Sequence, residues 1–425
     1  MLKKEFKGLD INVCYEKLDN GLSVYIIPYK DRKNYYIEYC SKYGAEIDEF
    51  ISVDTGKKTK KPYGVAHFLE HKMFEQEDGT DPLIFFSESG TDANASTGYK
   101  VTSYTVEGIN DFEKNLSYLL DYVNSPYFTD ENVEKEKGII IEELNMYKDQ
   151  PENVLFEKSN QALFKKHPMR RDVGGTPSSV RKITKEILTD CYNTFYQPSN
   201  MFLVILGDLD PEKTIELIKN HKKLNSKSSL KPVQVFKSNE PLEVNEKEKI
   251  VKIKNLIIPK FILNFKSPVR ELTKEEKYKY LLSSNILLYI LFGMSSEFRE
   301  EMLKKEAYSL FYYSEVIIDN LFIIEFVAET KKPDELKEEV FNYLKNKKIT
   351  EEDVERVKKV KIALQVIDSD KPYRVIDSVV DHVIEFDDVI YNKMDLLREI
   401  TLKDIEEVRN NILMDNYSYV LGIKK

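Results

Sequence analysis

Cysteine and histidine are scarce in this 425-residue chain, with three of the first and five of the second. Cys14, Cys40 and Cys191 are odd in number and far apart. That excludes a disulfide framework and a thiolate metal site as organising features, and leaves reduced thiols in a cytoplasmic protein as the expectation. No run of about 18 apolar residues occurs, so no membrane span is expected. The opening segment, MLKKEFKGLDINVCYEKL, mixes charges through its length and lacks the apolar stretch of a secretory signal. Positive charge is not in excess either. The formal net charge is -9, which argues against a broad nucleic-acid surface, though not against a local basic groove. What is there, 41% hydrophobic and 32% charged residues, suits a soluble globular protein of two or more domains.

Strand and helix patterns alternate along the chain. Gly21–Tyr29 and Tyr35–Ile47 are rich in Tyr, Ile and Val and predict strands, as does Gly90–Gly108 with its small and β-branched residues between glycines. Helices are predicted at YGVAHFLEHKMF, over Ile109–Ser125, and from Asp130, taken as N-cap, to a stop before Pro151. A buried strand, MFLVILGDLD, leads into a helix opened by Pro211. Residues 222–249 then turn to Lys, Ser, Asn, Glu and Pro and predict a connector, with a short strand at VQVF. Beyond it, strands are predicted at PKFILNFKS, NLFIIEFVAET and YSYVLGI, and helices at KEEKYKYLLSSNILLYILFG, PDELKEEVFNYLKN and TEEDVERVKKVKIALQVI. The expected architecture is α+β, with a first domain over 1–221, a linker over 222–249 and a second domain of similar build over 250–425.

The stretch HFLEH carries the chemistry. A helix turns once in 3.6 residues, so His67 and His71 point the same way one turn apart and can hold one cation. Glu70 lies on that side and can aim at a water held by the metal, whose lowered pKa would let a carboxylate take its proton during attack on a carbonyl. This inverted order of the commoner His-Glu-x-x-His pattern is a metallopeptidase signature. The alternative is an amphipathic helix packed through Phe68, Leu69 and Met73 that happens to carry histidines. A pair at this spacing with an intervening glutamate, in a chain so poor in histidine, favours the metal.

A tetrahedral site needs a third ligand and leaves the fourth position to water. His167, His221 and His382 are solitary. On the helix NVEKEKGIIIEELNMY, Glu136, Ile140, Glu143 and Tyr147 share a stripe, and two carboxylates buried there without a cation would be costly. Spacing favours Glu143 only modestly over Glu142 as the ligand.

HFLEH, then NAST, then VEKEKGIIIEEL, in this order, resemble the pitrilysin/insulysin family of zinc peptidases, which includes the mitochondrial processing peptidase. The resemblance runs through most of the first half and is closest to short bacterial members, some of which trim bacteriocin leaders or other precursor peptides. It implies that His67, His71 and Glu143 bind one Zn2+, that Glu70 is the general base, and that Glu136 is a second acidic position needed for catalysis, as support for the ligand shell. It also implies that Asn94 and Ala95 lie on an edge strand that pairs with the backbone of an extended peptide. Two departures stand out. The interval from His71 to Glu143 is a few residues short, as a loop deletion would make it. In the second half the family places an arginine and a tyrosine seven apart to hold the scissile carbonyl. Here Tyr308 is present but Glu301 stands seven before it, with Arg299 nearby. The clamp then falls to Tyr308 and Arg299, or to a partner chain.

The expected function is a cytoplasmic zinc endopeptidase that cuts short unfolded or precursor peptides. Two chains, identical or paralogous, would enclose the site, since members of this length carry half of the family's chamber. A non-catalytic peptide-binding subunit is the second reading. A metal-dependent hydrolase of non-peptide esters or amides is the third and weaker one.

Overall fold

The computed structural model describes residues 1–225 and 232–425. They form two compact units, one of Met1–Asn145, Asp172–Lys237 and Asp368–Tyr391, the other of Met146–Arg171, Ser238–Ile367 and Asn392–Lys425. This division differs from the sequential one, 1–221 and 250–425 about a linker, and two helices are the reason. Pro151–Leu163 packs on the sheet of the second unit, and Pro372–Phe386 on the sheet of the first. Each covers an apolar sheet face with residues from the other half of the chain.

The expected connector is not a plain linker. Residues 226–231 lie outside the described residues, but Lys222–Asn225 is a short helix, and in VQVF a single bridge joins Val235 to Phe50.

The strands of the first half are β1 (Leu2–Glu5), β2 (Asn12–Lys17), β3 (Ser23–Pro28), β4 (Tyr35–Ser41), β5 (Glu49–Ile51), β6 (Lys58–Lys60), β7 (Asp92–Thr97), β8 (Thr102–Gly108) and β9 (Met201–Gly207). Those of the second half are β10 (Glu248–Ile253), β11 (Lys260–Pro268), β12 (Leu310–Ile318), β13 (Leu321–Glu329) and β14 (Tyr417–Lys424). The first unit's sheet runs β1-β2-β3-β9-β4-β8-β7, the second's β10-β14-β11-β13-β12. The run β3-β9-β4-β8-β7 and the whole second sheet share one pattern. The first pair is parallel and the remaining three are antiparallel. Two homologous α+β halves, each a mainly antiparallel sheet packed with helices, are therefore what the chain builds.

One expected strand, Gly90–Gly108, is a hairpin of β7 and β8 closed by Gly98 N–H donating to Val101 O at 2.8 Å. That turn places β7 at the sheet edge, bonded on one side only among the described residues. Lys274–Lys304 is long and apolar enough to cross a membrane by length and composition, but 61% of its apolar window is buried inside the protein. It packs as a core segment of the second unit.

An ion pair anchors the start of the second unit's later segment. The side chains of Lys266 and Glu240 are 0% and 1% exposed and stand 2.6 Å apart. Burial works against the charge on Glu240, but Lys266 and the backbone N–H groups of Lys165, Lys166 and His167 hold its carboxyl below the usual range. Glu240→Gln leaves a buried ammonium without its counter-charge and should cost about 3–5 kcal/mol in urea unfolding. A depressed folded-state pKa gives stability that is present above the unfolded value and fades as pH falls through the folded one. The wild type should therefore lose more stability than the variant on acidification below about pH 4.3, the ordinary glutamate pKa.

Candidate metal centre

The helix Val65–Met73 buries Val65, Ala66, Phe68, Leu69 and Met73 and leaves His67, Glu70 and His71 half-buried on the other side. The packing and metal readings thus describe two faces of one helix. Its entry is set by glycines. Gly64 sits at φ +89°, and a Cβ there would meet the Gly174 carbonyl oxygen at 2.3 Å. A Cβ on Gly175 would meet Tyr63 O at 2.6 Å, and one on Gly174 would stand 3.3 Å from His67 Nδ1 and 2.9 Å from Leu144. The loop 172–175 is thereby wedged between the histidine helix and the helix that carries Glu143. Gly64→Ala should destabilise the protein by more than the 1–3 kcal/mol or so of backbone strain alone. Gly56→Ala isolates that strain, since Gly56 lies at φ +65° with nothing within 4 Å of its Cβ position. Urea unfolding of the two variants, compared with wild type, reads the difference.

The acidic helix spans Asp130–Lys148. Its cap is Thr129, not Asp130: the Thr129 hydroxyl accepts from Asn132 N–H at 3.1 Å while the Asn132 side chain accepts from Thr129 N–H at 2.9 Å. Ile140 and Leu144 are buried against the core, which turns Glu136 and Glu143 inward and leaves Glu142 exposed. Tyr147, the last member of the stripe, is exposed as well.

His67, His71 and Glu143 converge. Glu143 Oε2 lies 3.4 Å from His71 Nε2 and 3.7 Å from His67 Nε2. One donor atom from each of the three falls within 4.8 Å of the others, a grouping able to hold a metal ion. Ligands about 2.0–2.1 Å from a tetrahedral zinc stand roughly 3.3–3.4 Å from one another, so the residues fit the ion. Glu143 Oε2 is buried with no hydrogen-bond partner among the described residues, an arrangement that a cation resolves.

The electrostatics suit ligation too. Burial, with His71 alongside, pushes the His67 pKa down to about 4, which keeps its imidazole neutral with a lone pair to offer. Burial also acts against charge on His71, but the carboxylates of Glu136, Glu143 and Glu70 together outweigh it and raise the pKa, so that binding a metal there releases a proton. Glu136 Oε1 lies 2.9 Å from His71 Nδ1 and so orients Nε2 toward Glu143. Glu70 is raised by burial, an effect opposed by the Thr97 hydroxyl, which donates to Oε2 at 2.5 Å.

The other expected residues lie elsewhere. Asn94 and Ala95 are on the open edge of β7, where the Asn94 side chain accepts from the Ala95 N–H at 2.9 Å. Arg299 and Tyr308 are in the second unit. Arg299 donates to Phe292 O at 3.1 Å, Tyr308 OH at 3.2 Å and Phe311 O at 2.7 Å. Glu301 accepts from Tyr343 OH. Sequence reasoning missed Thr97, although alternation along β7 puts it on the face of Ala93 and Ala95, which pack toward the helices. The glycine wedge leaves no periodic signal at all.

The sequence pattern of the insulinase family (peptidase family M16) matches residues 48–177, and that of the M16 peptidase inactive domain matches 182–361. An uncharacterized zinc protease of Bacillus subtilis strain 168, YmfH, is 34% identical over 417 residues, or 95% of this chain and 94% of that one. Among solved structures, an M16-like peptidase from Alicyclobacillus acidocaldarius superposes with a TM-score of 0.91 at 28% identity, covering 99% of this chain and 100% of that one. The periplasmic protease PqqL of Escherichia coli gives 0.78 at 18% identity, a likeness of fold in which all of this chain covers 48% of the other.

Proposed function

The chain belongs to the M16 family of zinc peptidases, and from that footing we propose that it is a zinc-dependent endopeptidase acting on short, unfolded or precursor peptides. The observation that carries the reading is the convergence of His67, His71 and Glu143. These residues would hold one zinc per chain. Zinc, when bound there, polarises a substrate carbonyl and makes a nucleophile of water at neutral pH. Glu70 takes the proton of the attacking water on Oε1, the oxygen that Thr97 leaves free, and delivers it to the departing amine. Glu136 keeps the His71 ring in place through Nδ1.

The open edge of β7 supports an extended substrate. A docked strand would displace the Asn94 side chain from the Ala95 N–H and take up the edge hydrogen bonds. Within the second unit, Tyr308 accepts from Arg299 and keeps its own proton to donate, with Arg299 as the group that orients it, which supports a substrate-binding role for the pair. The homologous halves, and a relative of the same fold about twice as long, support a pairing of two chains, identical or paralogous. The three buried, unpaired cysteines support a reducing compartment.

The test is metal analysis of purified protein beside cleavage of a mixed peptide pool, with and without chelator. One zinc per chain and chelator-sensitive cleavage are expected. The internal engagement of three Arg299 nitrogens favours a second reading, a peptide-binding subunit that keeps its metal. Bound zinc without cleavage, alone or with a paralogous chain, would select it.

A further inference from the structure

Glu70 is the base in the reading above, yet a glutamate has three rotatable side-chain bonds and needs something to aim it. Its Oε2 accepts from Thr97 Oγ1 at 2.5 Å. A threonine hydroxyl has one proton, and an ionised carboxylate can only accept, so this bond fixes one oxygen and leaves the other to face the nucleophile. The alternative acceptor is Thr102 Oγ1, whose own proton goes to Tyr43 O at 2.9 Å; at 3.5 Å and uncharged, it competes weakly for the Thr97 proton with a carboxylate oxygen at 2.5 Å.

Thr97 is itself firmly held. It ends β7 opposite Thr102. The turn beyond it is clasped by Ala45 N–H donating to Gly98 O at 3.0 Å and Glu46 N–H donating to Tyr99 O at 2.9 Å. Gly44 passes so close that a Cβ would stand 2.4 Å from Tyr99 O. Lys100 in the same turn pairs with Glu385 at 2.5 Å. The opposite end of β7, at Asp92, is exposed.

Resting on the peptidase reading, we infer that Thr97 is a positioning residue. Its hydroxyl aims the Glu70 carboxylate from the same edge strand that offers Asn94 and Ala95 to the substrate, so that filling the strand and aligning the base are one event. The backbone link is short, two residues from Ala95 to Thr97, and no other described side chain donates to Glu70.

The test compares Thr97→Val, which keeps the shape and loses the donor, with Thr97→Ser, which restores it, and with Thr97→Ala as a second donor-less variant. In full-length zinc-loaded protein, the Val and Ala variants should lose about 10–100-fold in kcat with KM within about twofold, and Ser should recover to within about threefold of wild type. A second readout needs no substrate. In Co2+-substituted protein, the visible spectrum of Thr97→Val should move toward that of Glu70→Gln, while that of Thr97→Ser stays with wild type. A Val spectrum and kcat indistinguishable from wild type would overturn the inference. If wild type cleaves no peptide, the peptidase reading fails, and the cobalt spectra alone decide whether Thr97 aims Glu70.

Discussion

Replacing Glu70 by glutamine should slow peptide cleavage by about 10²–10⁴-fold while one zinc per chain stays bound. The side chain keeps its size, and Thr97 can still donate to the amide oxygen, so the helix and its histidines have no reason to shift. What goes is the proton acceptor. Glu70 lies on the histidine face but outside the convergent trio, which separates its role from ligation. Paired measurement of zinc content and kcat reads the two roles independently. Coupled loss of zinc and turnover would make Glu70 a structural member of the cluster. Cleavage at the wild-type rate would remove it from the chemistry.

Glu143→Ala should abolish stoichiometric zinc binding, whereas Glu136→Gln should weaken it by about 10–100-fold. The two carboxylates sit on one helix and face the same histidine, but at different atoms. Glu143 approaches His71 Nε2 and His67 Nε2, where an ion would lie, while Glu136 meets His71 Nδ1 on the far side of the ring. Loss of Glu143 leaves two imidazoles and an open site. Loss of the Glu136 charge leaves all three ligands in place with one ring less firmly held. Competition with a chromogenic chelator resolves these outcomes. A Glu143 variant that holds zinc as tightly as wild type would remove that residue from the ligand set.

The histidine helix was legible because chemistry and periodicity coincide in five residues. The choice between Glu143 and Glu142 was not settled by spacing. They are neighbours in sequence, and only the burial of Ile140 and Leu144 turns one inward and the other to solvent. The hairpin of β7 and β8 read as one strand because the turn residues Gly98 to Val101 hold a tyrosine, a lysine and a valine, which alternate as well in a strand as in a turn. The helix Pro151–Leu163 was hidden by its composition. It buries Ser159 and Asn160 beside Leu155 and Leu163, and Ser159 accepts from Asn264 on β11, so its inner face is partly polar. The reach of that helix and of Pro372–Phe386 into opposite units is a long-range fact with no local signature. It is why a boundary drawn at a compositional change misassigns both segments.

This exchange has a cost during synthesis. The face of the first sheet formed by Val13, Tyr25, Ile27, Phe202, Val204 and Leu206 is covered by Val375, Ile376, Val379 and Val383, which leave the ribosome long after the strands they cover. Until then that patch is bare and attractive to chaperones or to other nascent chains, however complete the histidine helix is. A gene cut at the connector would encode two fragments, each lacking the helix that seals it, and neither would mature alone.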